Sequence, residues 1–294
     1  MVIGYLTRFR TSSIAAKAMI ASAAVAAFAV ASAQASLVVY EPYNYGLAQG
    51  TQMAGVTANA TGLTGSYINV NVINKPAVNI TTTYNTTSLP LANLQETGGS
   101  IYQPNDGKSL IEAQLDPTAS AAFSSGNTLY GSYVFNIGAD YGINGGQSNG
   151  AGSPGTGLVS GLMIGSEDSA DNSSVINISP ISYGQNFGQI KANGGYAAGN
   201  AAAGTTSGPI VAGQNYIELF QISYGSGNTV SAAEATLSAS QFQNFENNLT
   251  FSALEAASLG TGSNQVTELA SFTDQAGNGT TLSAANANNY MKFL

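Results

Sequence analysis

Residues 66–74, SYINVNVIN, place Ile68, Val70 and Val72 on one parity and Asn69 and Asn71 on the other. A two-residue period with β-branched side chains on one side marks a half-buried strand. Runs of the same character recur at 36–40, 77–84, 128–138, 157–166, 174–182, 215–225 and 229–237. Between them lie turn clusters: TGGS, NDGK, GSGNT at 225–229, and the long NGGQSNGAGSPGTG at 144–157. GSGNT joins two strand candidates and reads as a hairpin, whereas 144–157 is too long for a tight turn and reads as a surface loop. Helical pattern is confined to 238–259, where Gln241 follows Ser238 by three residues and Glu255 follows Ser252 by three, both as in a capping box. Gly260 then reads as the stop. Many strands and one helical insertion predict an all-β chain of two packed antiparallel sheets, with one or two short helices near 238–259. No fixed internal period supports a solenoid or a propeller.

The first 35 residues have a different character. Arg8, Arg10 and Lys17 precede the apolar run AMIASAAVAAFAVASA, and Ala33, Gln34 and Ala35 follow as a small-x-small site. This is the order of a secretory signal peptide, with cleavage expected after Ala35. The run is rich in Ala and Ser rather than Leu and is at the short limit for a membrane span, so export is preferred to anchoring and no membrane insertion is expected after cleavage. The expected location is secreted or at the cell surface.

Cleavage would leave Lys75, Lys108, Lys191 and Lys292 against fifteen acidic residues, a net charge of −11. Without a basic patch or any remaining Arg, nucleic acid is excluded as a partner. Charged residues are only 7% of the chain, so its solvent face must be built largely from hydroxyls, amides and glycine. With no Cys and no His, disulfides, His-dependent triads and His/Cys zinc sites are ruled out. Carboxylate chemistry remains open in principle. Glu218, in YIELFQI, is read as a lone strand acid in an outward or edge position, with ligand contact as the alternative.

Two groups are candidates for binding. Tyr43 and Tyr45 of YEPYNY share a parity that Tyr40 does not, so a partly exposed pair is one reading and rim or core packing the preferred one. Glu167, Asp168, Asp171 and Asn172 bring hard oxygen ligands together in one loop, although their spacing matches no EF-hand. A solvated acidic loop is the preferred reading there and calcium the alternative.

The order of motifs resembles a known family. VVYEPYNYGLAQGTQMAG followed by ATGLTGSY, then TTSLPLANLQETGGS, TLYGSYVFNIG and GQNYIELFQISYGSGNTVSAAEATLSASQFQNF, is similar to bacterial exported laminin-G-like, concanavalin A-like jelly-roll proteins of the PEP-CTERM-associated type. The likeness runs over most of residues 37–260. It implies that residues 36–294 form one jelly-roll β-sandwich, with first and last strands close together so that SLVVY pairs once the leader is gone. It also gives a calcium site at a sheet edge some weight. Two departures stand out: the chain stops at NNYMKFL without a sorting tail, implying release or a truncated sequence, and positions often held by Trp are Tyr.

The expected function is therefore non-enzymatic. A secreted or cell-envelope protein would make weak contacts with polysaccharide or extracellular matrix polymer, with Tyr43 and Tyr45 as the candidate contact residues and no obligatory cofactor. A purely structural matrix component is the second reading, and a carboxylate-dependent glycoside hydrolase or lyase the third.

Overall fold

The computed structural model describes residues 2–3, 6–9, 36–71, 82–91, 94, 98–103, 109–123, 126–136, 158–166, 174–182, 189–192, 201–203, 205–206, 210–211, 213–225, 230–274 and 289–293. Its strands are β1 (Val2–Ile3), β2 (Leu6–Phe9), β3 (Ser36–Val39), β4 (Leu63–Asn71), β5 (Thr83–Asn85), β6 (Ser100–Tyr102) and β7 (Ser109–Leu115). After helix α1 (Pro117–Ala122) come β8 (Thr128–Asn136), β9 (Leu158–Ser166), β10 (Ser174–Ser182), β11 (Gln189–Ala192), β12 (Ala201–Ala203), β13 (Thr205–Thr206), β14 (Asn215–Tyr224) and β15 (Val230–Ser238). Helices α2 (Ala239–Phe245) and α3 (Phe251–Ala256) follow, then β16 (Glu268–Asp274) and β17 (Asn289–Phe293).

The fold is all-β, with antiparallel pairing throughout the named strands. One eight-stranded sheet runs β13-β16-β15-β14-β8-β2-β3, with β1 also beside β8. A seven-stranded sheet runs β12-β11-β10-β9-β17-β7-β4, and β5 pairs with β6 in a small third sheet. The two large sheets share one apolar core: Leu129, Tyr133, Phe220 and Ile222 of the first cluster with Ile111, Leu162, Ile164, Ile178 and Phe293 of the second.

Strand β14 has buried side chains on both faces. Tyr216, Phe220, Ile222 and Tyr224 enter the shared core, while Ile217 and Leu219 join a second cluster with Phe242 of α2 and Leu254 of α3. The helices thus cover the outer face of the first sheet, and a strand covered on both faces needs apolar residues at both parities. Helix α2 begins as its spacing predicts: Gln241 N–H donates to Ser238 Oγ at 3.4 Å and Ser238 N–H to Gln241 Oε1 at 2.8 Å. The second expected box is not formed. Thr250 caps α3, accepting from Ala253 N–H at 3.1 Å, and Ser252 lies inside the helix. Helix α3 ends at Ala256, so Gly260 is not its stop; Gly260 N–H instead donates to Val266 O at 2.9 Å.

The hairpin expected at GSGNT is present as the β14–β15 pair, in register from Tyr216↔Ser238 to Tyr224↔Val230. Gly131 of β8 stands opposite Phe220, whose ring fills the space a Cβ would occupy. Strand β3 is an edge strand, but its neighbour is β2 rather than the last strand, which sits between β9 and β7. Near the chain's two ends, the ring of Tyr43 lies 6.2 Å from that of Phe293 in the shared core. Strands β1 and β2 fall within residues 1–35, where a leader is expected, while the apolar run and Ala35 lie outside the described residues. Among the described residues no helix is long and apolar enough to cross a membrane.

Candidate functional site

Residues 41–48, just after β3, are not a strand, so parity does not govern which tyrosines face inward. Tyr43 takes the left-handed backbone at φ 50° and is fully buried, whereas Tyr45 is half-buried. Both are organised by Glu41, which has no exposed surface. Its Oε1 accepts the Tyr43 N–H at 2.6 Å; its Oε2 accepts the hydroxyls of Tyr45, at 2.6 Å, and of Tyr67 on β4. The Tyr45 hydroxyl also accepts Asn59 N–H at 3.2 Å. Ring edges close the cluster, Tyr45 lying 6.2 Å from Tyr67 and 6.4 Å from Tyr84.

Electrostatically the cluster is poised for structure. Burial raises the Glu41 carboxyl above its ordinary value, and the bonds from Tyr45, Tyr67 and Tyr43 oppose the rise. Burial, helped by the neighbouring carboxylate, also pushes the phenols of Tyr43 and Tyr45 upward, and burial with the adjacent Tyr43 does the same for Tyr67, so all three remain hydroxyls. With two hydroxyls and a backbone amide on its two oxygens, Glu41 ties the loop to β4. Tyr43, the first of the expected binding tyrosines, packs in the core with no exposed surface.

A second carboxyl group of interest is Glu218. It is neither outward nor at an edge, being 0% exposed on central strand β14 and in register with Tyr133 of β8 and Thr236 of β15. Thr236 Oγ1 donates to Glu218 Oε2 at 2.6 Å. Nor is Glu218 a lone acid: Glu234, two residues from Thr236 on the same face of β15, shares a hydrogen bond with it. Burial pushes the Glu218 carboxyl up to about 8, with the bonds to Thr236 and Glu234 acting against the rise. Two carboxyls therefore converge between the large sheets. Glu112, 1% exposed on β7, stands opposite Lys292 of β17 in the other sheet.

The acidic loop Glu167, Asp168, Asp171 and Asn172 connects β9 to β10 and lies outside the described residues. Among the described residues no group of three or more acidic side chains is placed to hold a metal ion. The sequence reading passed over Glu41, Tyr67 and Glu234; the signal for the first was its position inside the densest tyrosine cluster. Comparison of the chain with protein-family models, characterised proteins and solved structures found no match.

Proposed function

We propose that this chain is an exported, non-enzymatic protein whose two large sheets close as a laminin-G-like or concanavalin A-like jelly-roll sandwich. It acts at the cell envelope or in extracellular matrix through weak contacts with carbohydrate or a similar neutral polymer. The observation that carries this reading is the disposition of the acids. Of the acids whose side chains are described, Glu41, Glu112, Glu218 and Glu234 are turned into the interior, Asp116 is half-buried, and Glu246 and Glu255 are exposed. Exposed positions such as Asn44, Gln49, Gln52, Asn247 and Asn248 are amides. Such a surface recognises hydroxyl-rich polymers through neutral hydrogen bonds rather than through charge.

One observation favours the enzymatic alternative: Glu218 and Glu234 converge, and glycoside hydrolysis runs on two carboxyls. A glycosidase needs its acids on either side of the sugar, about 5–10 Å apart, with room for substrate between them. This pair is 0% and 1% exposed and bonded to itself, which ranks the reading below simple binding.

The test is a glycan array and a polysaccharide pull-down, each run with calcium and again with chelator. Saturable retention on a defined glycan is expected. Loss of retention on chelation would assign a role to the 167–172 loop. A folded protein that binds nothing in either condition overturns the carbohydrate reading in favour of a purely structural one.

A further inference from the structure

Among the buried and half-buried aromatic rings of the described chain, Tyr102 stands out: it is 57% exposed, on a strand whose neighbouring residue Ile101 is 7% exposed. Strand β6 pairs with β5 in the register Thr83↔Tyr102, and Gln52 makes an antiparallel bridge to Thr83 on the other side of β5. Residues directly opposite in an antiparallel pair point to the same face. Gln52, Thr83 and Tyr102 therefore form one row across three chain segments, about 10 Å long at the usual strand spacing.

The row has a rigid support. Met53 N–H donates to Thr82 O at 2.9 Å, Tyr84 N–H to Thr51 O at 2.7 Å and Gly50 N–H to Tyr84 O at 2.9 Å, so the 50–53 segment is held to β5 by its backbone. The opposite face of this small sheet is core: Met53, Tyr84 and Ile101 are buried in the main cluster. Gln49 adds a further tie, accepting the Thr86 N–H at 2.8 Å and the Thr86 hydroxyl at 3.0 Å. A ring, a hydroxyl and an amide are thus displayed on a platform that needs no ordering on contact, which lowers the cost of binding.

The chemistry selects the ligand class. No Asp, Glu, Lys or Arg occurs at 49–53, 83–87 or 98–103, so these three segments themselves offer nothing to pair with a charged group. An aromatic ring offers an apolar face with a polar tip, matching the alternating C–H and O–H character of a sugar ring, and an adjacent amide and hydroxyl fix orientation.

We propose that the Gln52–Thr83–Tyr102 row is the contact site for a neutral saccharide, with Tyr102 stacking on a sugar ring and Thr83 and Gln52 bonding to its hydroxyls. This rests on the carbohydrate reading above and gives it an address, one that includes neither Tyr43 nor Tyr45.

The experiment is affinity gel electrophoresis of the full chain through gels containing a β-glucan, a galactomannan or a xylan, with thermal melting in parallel. Retardation of the wild type by at least one of the three is expected. Tyr102→Ala should weaken it about tenfold, Gln52→Ala should weaken it by a smaller factor and Tyr102→Phe should retain most of it, with melting temperatures unchanged because these side chains are exposed. Retardation of the wild type that Tyr102→Ala leaves intact overturns the row while leaving carbohydrate binding standing elsewhere on the molecule. Failure of all three gels to retard the wild type, together with a blank glycan array, overturns both.

Discussion

Tyr43 and Tyr67 sit on either side of one carboxylate, and their hydroxyls have opposite consequences. The Tyr67 hydroxyl is bonded to Glu41, while the Tyr43 hydroxyl is buried with no hydrogen-bond partner among the described residues. Removing a donor from a buried carboxylate costs about 1–3 kcal/mol, whereas deleting a hydroxyl that has no partner is neutral or stabilising. Tyr67→Phe should therefore lower the urea midpoint clearly and Tyr43→Phe should hold or raise it. Equal losses from the two substitutions would refute the arrangement around Glu41. Tyr43 itself is held at φ 50° by Glu41 on its N–H and by Gly99, whose N–H donates to Tyr43 O at 3.0 Å. Gly98, at φ 119°, passes so close to the Pro42 carbonyl that a Cβ would collide with it. The TGGS cluster was legible as a turn, but not its role as a strap against 42–44. Alternation could not predict which tyrosine faces inward, because a left-handed residue breaks the parity on which that reading depends.

At the scale of the element, the β14–β15 hairpin holds the carboxyl pair, and its strands show what was legible and what was missed. Glu218 shares its parity with Tyr216, Phe220, Ile222 and Tyr224, the more apolar side of the strand, so an inward position was already written in NYIELFQISY. The general rule that acids face water outweighed the local pattern. Strands β7 and β16, SLIEAQL and ELASFTD, were passed over for a different reason: Leu, Ala, Glu and Gln favour helix, and pairing with neighbouring strands overrides that preference. The acid pair also has a pH consequence. The folded-state value of Glu218, about 8, lies above its ordinary 4.5, so the folded chain keeps a proton that the unfolded chain releases. The stabilisation is complete below 4.5 and is lost as pH rises to about 8. For one proton the slope is at most about 1.4 kcal/mol per pH unit. The groups facing Glu218 are Tyr133 from β8 and Thr236 and Glu234 from β15; Glu268 of β16 stands opposite Thr236, and Ile178 of β10 lies across the core. Glu41 is also raised and adds a slope of the same sign. The melting temperature should fall from pH 5 to pH 8, and Glu218→Gln should flatten that fall. An unchanged slope in the variant would rule out the pair as its source.

At the scale of the whole molecule, the strands were largely legible as segments while their neighbours were not. SLVVY, TLYGSYVFNIG and NYIELFQISYG all contain strands, yet nothing local to them specifies that β17 enters between β9 and β7 or that β8 lies between β14 and β2. Such pairings join residues distant in sequence, and one-dimensional periodicity carries no information about partners. The placement of β2 has a consequence that can be measured. Leu6–Phe9 pairs on one side with Thr128–Tyr130 of β8 and on the other with Ser36, Leu37 and Val39 of β3, while Val2–Ile3 pairs with Tyr133–Val134. A chain beginning at Ser36 would lack both β1 and β2, leaving the outer edge of β8 and the inner edge of β3 without these partners. Open edges of this kind pair with other chains. Residues 36–294 should therefore show faster amide exchange than the full chain at Thr128–Val134, and concentration-dependent association in sedimentation velocity that the full chain lacks. If both chains are monomeric and equally protected along β8, β3 has moved across to take the vacated place, and the first sheet closes without help from either residues 1–35 or a second copy.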